Sequence, residues 1–250
     1  MPPGWGATSL AWGPSGELAL GRTDCHVPCG VPRHQEVWVW RDGALRRVAG
    51  PLRGVQLPLV AGFAPDGRAL WWSDLEGSGS IASDGLPLYA NRTKLAWMLP
   101  YGDYVARCGD HLALAVGRDR YATHGERILV DGRDVSDDPA RSWVSPACRG
   151  STLVAAAGRN WAERRFGLEY RSLWQLLPTR KRLTHPPPDA TDESPTILPD
   201  GSIVFVRTVA GRGTVERLAR GRLTPLGTIR GTANFYGHYD WARVVAVASR

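Results

Sequence analysis

Several features that would point to a particular class of function are missing from this sequence. No run of about 18 apolar residues occurs, so no transmembrane segment is predicted. A Gly-x-Ser-x-Gly elbow, a His-Glu-x-x-His pair and a phosphate-cradling glycine loop are all absent. The sequence therefore favours neither a nucleophilic hydrolase nor a nucleotide enzyme. No stretch sustains a 3.6-residue apolar period, so we expect few helices.

Lysine is also scarce, since Lys94 and Lys181 are its only examples, and the formal net charge of +7 comes almost wholly from arginine. A basic surface attracts nucleic acid or anionic polymers of the cell envelope. No nucleic-acid-binding motif accompanies this charge, so we do not expect nucleic acid as a partner. A solvated, arginine-rich surface is the simpler interpretation.

Three stretches of the chain resemble one another, at residues 13–20, 64–71 and 198–205. Each places a Pro-Ser-Gly or Pro-Asp-Gly turn directly before an apolar run typical of a strand. Proline and glycine at these positions are what a tight β-turn requires. A repeat of roughly 40–50 residues is typical of propeller blades, each of which needs its neighbours to bury its faces.

Fainter copies of this turn and strand lie at residues 107–116, 147–155 and 239–247, which makes six units spaced by roughly 40 to 51 residues. A second hairpin follows most units, with tips at Asp42-Gly43, Asp84-Gly85, Asp131-Gly132, Pro178-Thr179 and Gly221. Two hairpins per unit make four antiparallel strands. The sequence predicts a single all-β domain over residues 1–250, a six-bladed β-propeller whose last blade is short or is closed by the N-terminal strand.

The unit at residues 192–206 resembles the WD40-like PD40 repeat of TolB-type propellers. It combines an acidic lead-in, Ser-Pro, a Pro-Asp-Gly turn and an apolar strand. Only this unit matches closely, and the first two units match at the turn and second strand. The resemblance implies a six-bladed ring, common in exported bacterial proteins that bind other proteins or cell-envelope components. It implies no catalytic residue, because the motif is structural.

Four cysteines bear on the compartment. Cys108 and Cys148 occupy nearly the same turn position in consecutive units, and Cys25 and Cys29 share one loop. This pairing predicts two disulfides and an oxidising compartment. Free buried thiols are one alternative, and a zinc site in the Cys25 loop with its neighbouring histidines is another. No second cysteine pair completes a standard four-ligand zinc set.

Candidate ligand-binding residues lie in the loops expected at one face of the propeller, where function concentrates on a rigid scaffold. An acidic segment contributes Asp189, Asp192 and Glu193, which suit Ca²⁺ binding, a paired acid and base, or structural pairing with backbone or arginine. Asp134, Asp137 and Asp138, with Ser136, suggest calcium as well, but without the spacing of an EF-hand.

An aromatic residue close to two arginines marks a second candidate segment. Trp161, with Arg164 and Arg165 nearby, suits a stacking platform for a sugar or a peptide. The opening Met1-Pro2-Pro3-Gly4 lacks the charged start and apolar stretch of a signal peptide. We therefore expect the leader of an exported protein to be missing from this sequence.

Two functions follow from these observations. We expect an exported, monomeric module that binds a protein or an envelope polymer, with no catalytic residue and no cofactor. The alternative is a metal-dependent hydrolase or lyase that uses Ca²⁺ at the mouth of the central channel, with Asn91, Asn160 and Asn234 as further candidate ligands. Three or more carboxylate or amide oxygens converging on one point would favour the enzyme. An arginine-rich surface without such convergence would favour binding.

Overall fold

The computed structural model describes residues 6–13, 15–24, 34–51, 57–74, 86–98, 102–118, 125–159 and 170–230. Every regular element in these ranges is a β-strand, which confirms the all-β prediction. No helix that is long and apolar enough to cross a membrane occurs in these ranges. The chain divides into two compact units between Leu99 and Pro100, and each unit is described separately.

The first unit contains two four-stranded antiparallel sheets, each in chain order. Blade 1 consists of β1 (Gly6–Trp12), β2 (Leu18–Thr23), β3 (Gln35–Arg41) and β4 (Ala44–Ala49). Blade 2 consists of β5 (Leu57–Phe63), β6 (Ala69–Asp74), β7 (Leu86–Ala90) and β8 (Thr93–Met98). Both sheets are therefore the four-stranded meanders that the repeat predicts.

The second unit contains three more sheets of the same kind. Blade 3 consists of β9 (Gly102–Cys108), β10 (His111–Gly117), β11 (Glu126–Val130) and β12 (Arg133–Asp134). Blade 4 consists of β13 (Arg141–Arg149), β14 (Thr152–Arg159), β15 (Ser172–Leu177) and β16 (Lys181–Arg182). Blade 5 consists of β17 (Ala190–Ile197), β18 (Ile203–Val209), β19 (Arg212–Ala219) and β20 (Arg222–Arg230).

The number of blades differs from the prediction. The described residues form five blades where the repeat predicted six. The five blades correspond to the first five repeat units, and the sixth unit, residues 239–247, lies outside the described residues. The predicted strand at the N-terminus is β1, which belongs to blade 1.

The three clear repeats share one turn geometry between the first and second strands of their blades. The glycine of each turn has a positive φ, between 78° and 86°. The N–H of the residue before the proline donates to the carbonyl four residues later, from Gly13 to Glu17 at 2.7 Å, from Ala64 to Arg68 at 2.8 Å and from Leu198 to Ser202 at 2.8 Å. The sequence repeat is therefore a repeat of backbone conformation.

The aspartate of the Pro-Asp-Gly turn has a role of its own. Asp66 Oδ1 accepts the N–H of Arg68 at 3.1 Å, and Asp200 Oδ1 accepts the N–H of Ser202 at 3.0 Å. The Ser202 hydroxyl also donates to Asp200, and these hydrogen bonds lower the pKa of Asp200 to about 2. An aspartate that bonds the backbone two residues later stabilises a turn locally.

The outer hairpins follow the prediction except in blade 2. Strands β7 and β8 are joined at Asn91 rather than at Asp84-Gly85, which lies outside the described residues. Asn91 has a φ of 50°, which asparagine tolerates better than most residues. Its Oδ1 accepts the N–H of Ala69 at 3.0 Å, and its carbonyl accepts Trp71 Nε1–H at 2.7 Å. The side chain therefore secures the turn, which is a structural role.

The cores lie between the facing sides of consecutive blades within each unit. Trp71 of blade 2 is 1% exposed and packs with Val37 and Val39 of blade 1. In the second unit, Trp143 belongs to the core between blades 3 and 4, and Phe205 to the core between blades 4 and 5. Each sheet thus buries an apolar face against its neighbour.

Backbone proximity restricts the packing of blade 1 on blade 2. A Cβ atom on Gly21 would lie 2.1 Å from the carbonyl oxygen of Pro58. Thr8 Oγ1 donates to the same carbonyl at 2.5 Å, and Ser9 Oγ accepts the N–H of Val60 at 2.7 Å. Glycine is required here because no side chain fits between the two sheets.

A disulfide joins Cys108 at the end of β9 to Cys148 near the end of β13, with the two Cα atoms 4.9 Å apart. This confirms one of the two predicted disulfides and links blades 3 and 4 at their equivalent turns. Cys25 and Cys29 lie outside the described residues, so their disulfide stays a prediction.

We expect replacement of Cys108 and Cys148 by alanine to lower the free energy of unfolding by about 2–4 kcal/mol, because the bond closes a loop whose ends are 40 residues apart. Urea unfolding of wild type and the double variant measures this loss. If Cys25 and Cys29 are also bonded, a reductant will destabilise the double variant further. A variant as stable as wild type would show that the disulfide contributes nothing.

Candidate functional site

Each blade has two edges that differ in their connections. The turns between its first and second strands, and between its third and fourth, lie at the turn edge. The connection between its second and third strands, together with the start of its first strand, lies at the opposite, loop edge. Asp189 precedes β17, and Asp192 and Glu193 lie in its first half, so all three belong to the loop edge of blade 5. Trp161, Arg164 and Arg165 lie outside the described residues.

Asp192 is completely buried and is held by Arg207, which lies opposite it on β18. Arg207 Nε donates to Asp192 Oδ1 at 2.6 Å, and Nη2 donates to Oδ2 at 2.8 Å. This bidentate contact raises the pKa of Arg207 despite the opposing effect of its burial. Two parallel charge-assisted hydrogen bonds fix both side chains. Asp192 therefore pairs within its own blade.

Glu193 is engaged by a different arginine. Its Oε2 accepts a hydrogen bond from Arg171 Nη1 at 3.0 Å, and both side chains are buried. The N–H of Asp192 donates to the Arg171 carbonyl at 3.0 Å, so Arg171 links blade 4 to blade 5 twice. Asp189, by contrast, is exposed. The three predicted carboxylates are thus neighbours in sequence but do not converge on one point.

The second predicted acidic group, at the loop edge of blade 3, has a similar environment. Asp134 Oδ1 accepts three hydrogen bonds, from Ser136 N at 2.9 Å, Ser136 Oγ at 2.7 Å and Asp137 N at 3.1 Å. Burial by itself raises the pKa of Asp134. These hydrogen bonds and the nearby Arg118 lower that pKa by more than burial raises it, so the net shift is downward. Asp134 therefore stabilises the conformation of its loop by accepting hydrogen bonds from the residues that follow it.

Arginines surround this loop, and we call Arg118, Arg127, Asp134, Asp138 and Arg141 the Arg118 cluster. Arg141 Nε donates to Asp138 Oδ2 and Arg118 Nη2 donates to the Asp138 carbonyl, both at 3.0 Å. The Nη1 atoms of Arg118 and Arg127 lie 3.8 and 3.9 Å from Asp134 Oδ2. The structure thus places Arg118, directly after β10, beside the loop at residues 134–141.

Sequence reasoning missed the arginines of this cluster. The available signal was their position, because Arg118 directly follows β10 and Arg127 lies one residue inside β11, on the same loop. Arg127 also lies two residues from Leu129, which is opposite Asp134, so both charged residues occupy one face of the sheet. Aspartates that have arginines as spatial neighbours already have their negative charge balanced. A calcium site, by contrast, needs carboxylates that are free to bind the cation.

A further buried charge in the first unit was also missed. Glu36 of β3 accepts hydrogen bonds from Arg22 Nε at 2.9 Å, Trp38 Nε1 at 2.7 Å and Arg47 Nη1 at 2.5 Å. Burial raises the pKa of Glu36, but these bonds outweigh it and the net shift is downward. Arg22 also lies over the Trp38 ring, 4.3 Å from its centroid. This loop-edge carboxylate is therefore arginine-paired as well.

The arrangement of the candidate ligand residues bears on the calcium prediction. Within the described ranges, no three His, Cys, Asp or Glu side chains come together as a possible metal site. Of the asparagines predicted as channel ligands, Asn91 lies at the turn edge, and Asn160 and Asn234 lie outside the described residues. Calcium binding by this protein stays a prediction without support from the arrangement of the described carboxylates.

Comparison with known proteins identifies the fold but no family. No family model matches the sequence, and no curated protein matches it. The resemblance to TolB-type propellers is therefore not confirmed. Solved structures do match, at sequence identities that establish the fold alone.

Three of the similar structures come from proteins named as peptidases or proteases. The β-propeller domain of the Trilobed protease from Pyrococcus furiosus has a TM-score of 0.55 and 13% identity, covering 88% of this chain and 71% of that one. An acylaminoacyl peptidase from Pyrococcus horikoshii has a TM-score of 0.54 and 14% identity over 88% of this chain. Prolyl oligopeptidase B from Galerina marginata, bound to a 25mer macrocyclization substrate, has a TM-score of 0.52 and 13% identity over 94% of this chain. This chain spans only 38% of each of these last two proteins. The fold is thus a β-propeller of four-stranded antiparallel blades.

We expect Asp192→Asn to lower the free energy of unfolding by about 3 kcal/mol, because it leaves the largely buried Arg207 without its counter-charge. Urea unfolding at pH 7 measures the change. Asp189→Asn is the matched control, since its exposed side chain predicts a change within about 0.5 kcal/mol. Equal stabilities of the two variants would contradict the assignment of Asp192 as a structural ion pair.

Asp134 makes stability depend on pH in a predictable direction. Its folded pKa lies below its ordinary value of 3.8, so its contribution is complete above that value and is lost as pH falls through the folded pKa. We expect Asp134→Asn to destabilise the protein at pH 7 and to approach wild-type stability as pH falls below 3.8. Urea unfolding at several pH values measures this difference. The exposed Asp137→Asn is the control, and a pH-independent deficit in Asp134→Asn would exclude this linkage.

Proposed function

We propose that this protein is an exported propeller module that binds an acidic partner through the loop edge of its blades. The observation that carries the proposal is the pairing of buried or half-buried loop-edge carboxylates with arginine: Asp192 with Arg207, Glu193 with Arg171, Glu36 with Arg22, and Asp138 with Arg141. These pairs give the edge fixed positions for charged groups. Rigid, charge-matched loop edges suit recognition of another surface.

The charge balance supports an acidic partner. The chain has 31 lysine and arginine residues against 24 aspartate and glutamate residues, so basic groups remain after the carboxylates are paired. Arg212 at the β18–β19 turn is one exposed example at the loop edge. Complementary charge steers association and orients the partner.

The similar structures support a polypeptide as the partner, ahead of an envelope polymer. All three are chains, or a domain, of proteins named as peptidases or proteases. Propellers host many unrelated functions, so this support rests on analogy of fold. Export is supported by the Cys108–Cys148 disulfide, because such bonds persist mainly in oxidising compartments.

The metal-dependent hydrolase or lyase is not favoured. A cation site needs several oxygens directed at one point. Asp192 and Glu193 are instead directed at two different arginines, and Asp134 Oδ1 is occupied by three hydrogen bonds from its own loop. The geometry therefore supports binding over catalysis.

The proposal predicts a particular outcome in a selection from a displayed library of random peptides. We expect the selected peptides to be rich in aspartate and glutamate, and their affinity to fall as salt concentration rises. Arg212→Glu, at the loop edge of blade 5, should weaken binding by about tenfold through charge reversal. Fluorescence anisotropy with labelled peptides measures both effects.

The matched control is Arg222→Glu at the start of β20, an exposed arginine at the turn edge of the same blade. It introduces the same charge change and should leave affinity within about twofold of wild type. A selection without acidic enrichment, or equal losses in the two variants, would contradict binding at the loop edge.

A further inference from the structure

The charges of blade 4 are all of one sign in the part that the structure describes. Residues 139–159 and 170–188 include seven arginines and lysines and no aspartate or glutamate. Glu163 and Glu169 lie outside the described residues, between β14 and β15. Arg141 and Arg171 pair with carboxylates of neighbouring segments at the loop edge. The positive charge at the opposite edge of this blade has no such counterpart.

Four exposed cations lie together at this turn edge, and we call Arg149, Arg180, Lys181 and Arg182 the basic edge. Arg149 ends β13, and the other three span the turn into β16. Neighbouring strands of a sheet are about 4.8 Å apart, so the ends of β13 and β15 are separated by roughly 10 Å. Within the described ranges, no carboxylate pairs with any of the four.

Two of these arginines are held against the blade. The guanidinium carbon of Arg180 lies 5.9 Å from the ring centroid of the buried Trp143, within the range of a cation–π contact. Arg182 Nε donates to the carbonyl of Thr184 at 2.9 Å. Neither contact neutralises a charge, so the basic edge presents positioned cations to solvent.

The neighbouring turn edges do not supply the missing negative charge. At the turn edge of blade 3, two aspartates match two arginines in number, namely Asp110, Asp131, Arg107 and Arg133. At the turn edge of blade 5, Asp200 is paired with Arg217, and the exposed Arg220 and Arg222 add further positive charge. The excess of positive charge at the turn edge of this unit is therefore largest at blade 4.

The other residues of these turns indicate that a partner is recognised by charge alone. Gly150, Ser151, Pro178 and Thr179 are exposed and offer no large apolar group. In the described part of blade 4, no large exposed apolar side chain lies at the turn edge. Peripheral membrane proteins insert such side chains among the lipids, and peptides are recognised through pockets or grooves for theirs. A chain of regularly repeated anions needs neither.

We propose that the basic edge binds a soluble linear polymer that carries a phosphate in each repeating unit. A guanidinium group matches phosphate oxygens with paired donors, and a polymer contacts several cations at once. Binding also releases the counterions that the polymer holds, which favours association at low salt. The basic edge is separate from the loop edge, so its partner does not depend on the function proposed above.

Binding of fluorescently labelled inorganic polyphosphate, followed by anisotropy at several salt concentrations, tests the basic edge. We expect Arg180→Gln/Lys181→Gln to bind at least about tenfold more weakly than wild type at low salt. The slope of log Kd against log salt should fall by about one to two, because two phosphate contacts are lost. Arg149→Gln/Lys181→Gln should lose as much affinity, and it leaves Arg180 in contact with Trp143.

Arg212→Glu is the matched control, because it lowers the net charge by the same amount at the loop edge. It should bind polyphosphate within about twofold of wild type. Wild-type affinity in both double variants, or an equal loss in Arg212→Glu, would overturn the proposal.

Two further probes separate a phosphate polymer from other anionic partners. We expect poly-glutamate and vesicles of phosphatidylglycerol to bind at least about tenfold more weakly than polyphosphate at equal charge concentration. Tighter binding of poly-glutamate would overturn the proposal and assign the basic edge to an acidic polypeptide. Tighter binding of the vesicles would overturn it in favour of a membrane surface.

Failure of this proposal is distinguishable from failure of the proposed function. Acidic peptides that respond to Arg212→Glu, with polyphosphate binding unchanged in both double variants, would overturn the basic edge alone. Polyphosphate binding that depends on Arg180 and Lys181, with no acidic peptide selected, would overturn the proposed function alone.

Discussion

Apolar contact between the facing sides of consecutive blades is the interaction on which the rest of each unit depends. Trp71, Trp143 and Phe205 are each about 1% exposed or less and fill the three cores between neighbouring sheets. A four-stranded meander cannot bury both of its faces alone, so every blade requires a neighbour. The close approach at Gly21 and the disulfide at Cys108 are consequences of sheets held face to face.

Because the apolar faces occupy the middle of the strands, charged groups are left to the edges. There they meet in arginine–carboxylate pairs that join strands within a blade, as for Asp192 and Arg207, or join two blades, as for Glu193 and Arg171. Pairs of this kind contribute little net stability compared with apolar residues, but losing one partner is costly. They therefore fix the geometry of the loop edge, which is the property that a recognition surface needs.

The fold by itself supports no single activity, since propellers are used for unrelated functions. The proposed binding role rests on the charged pairs at the loop edges. Carboxylates that suggested calcium in the sequence are matched to arginines in the structure, and the excess of arginine supports the proposal of an acidic partner.

The sequence by itself determined the features that depend on interactions between residues close together in the chain. The Pro-Ser/Asp-Gly turns, the strands after them and most outer hairpins depend on residues a few positions apart, and the repeat extended this information to the Cys108–Cys148 disulfide. The outer hairpin of blade 2 was wrongly placed at Asp84-Gly85, because the hydrogen bond from Ala69 N–H to Asn91 Oδ1 that secures the turn at Asn91 bridges two strands. Only the tertiary structure decided which arginine each carboxylate meets. Arg207 lies 15 residues after Asp192 and Arg171 lies 22 before Glu193, and such pairings follow from sheet register and blade packing, which no short stretch of sequence encodes.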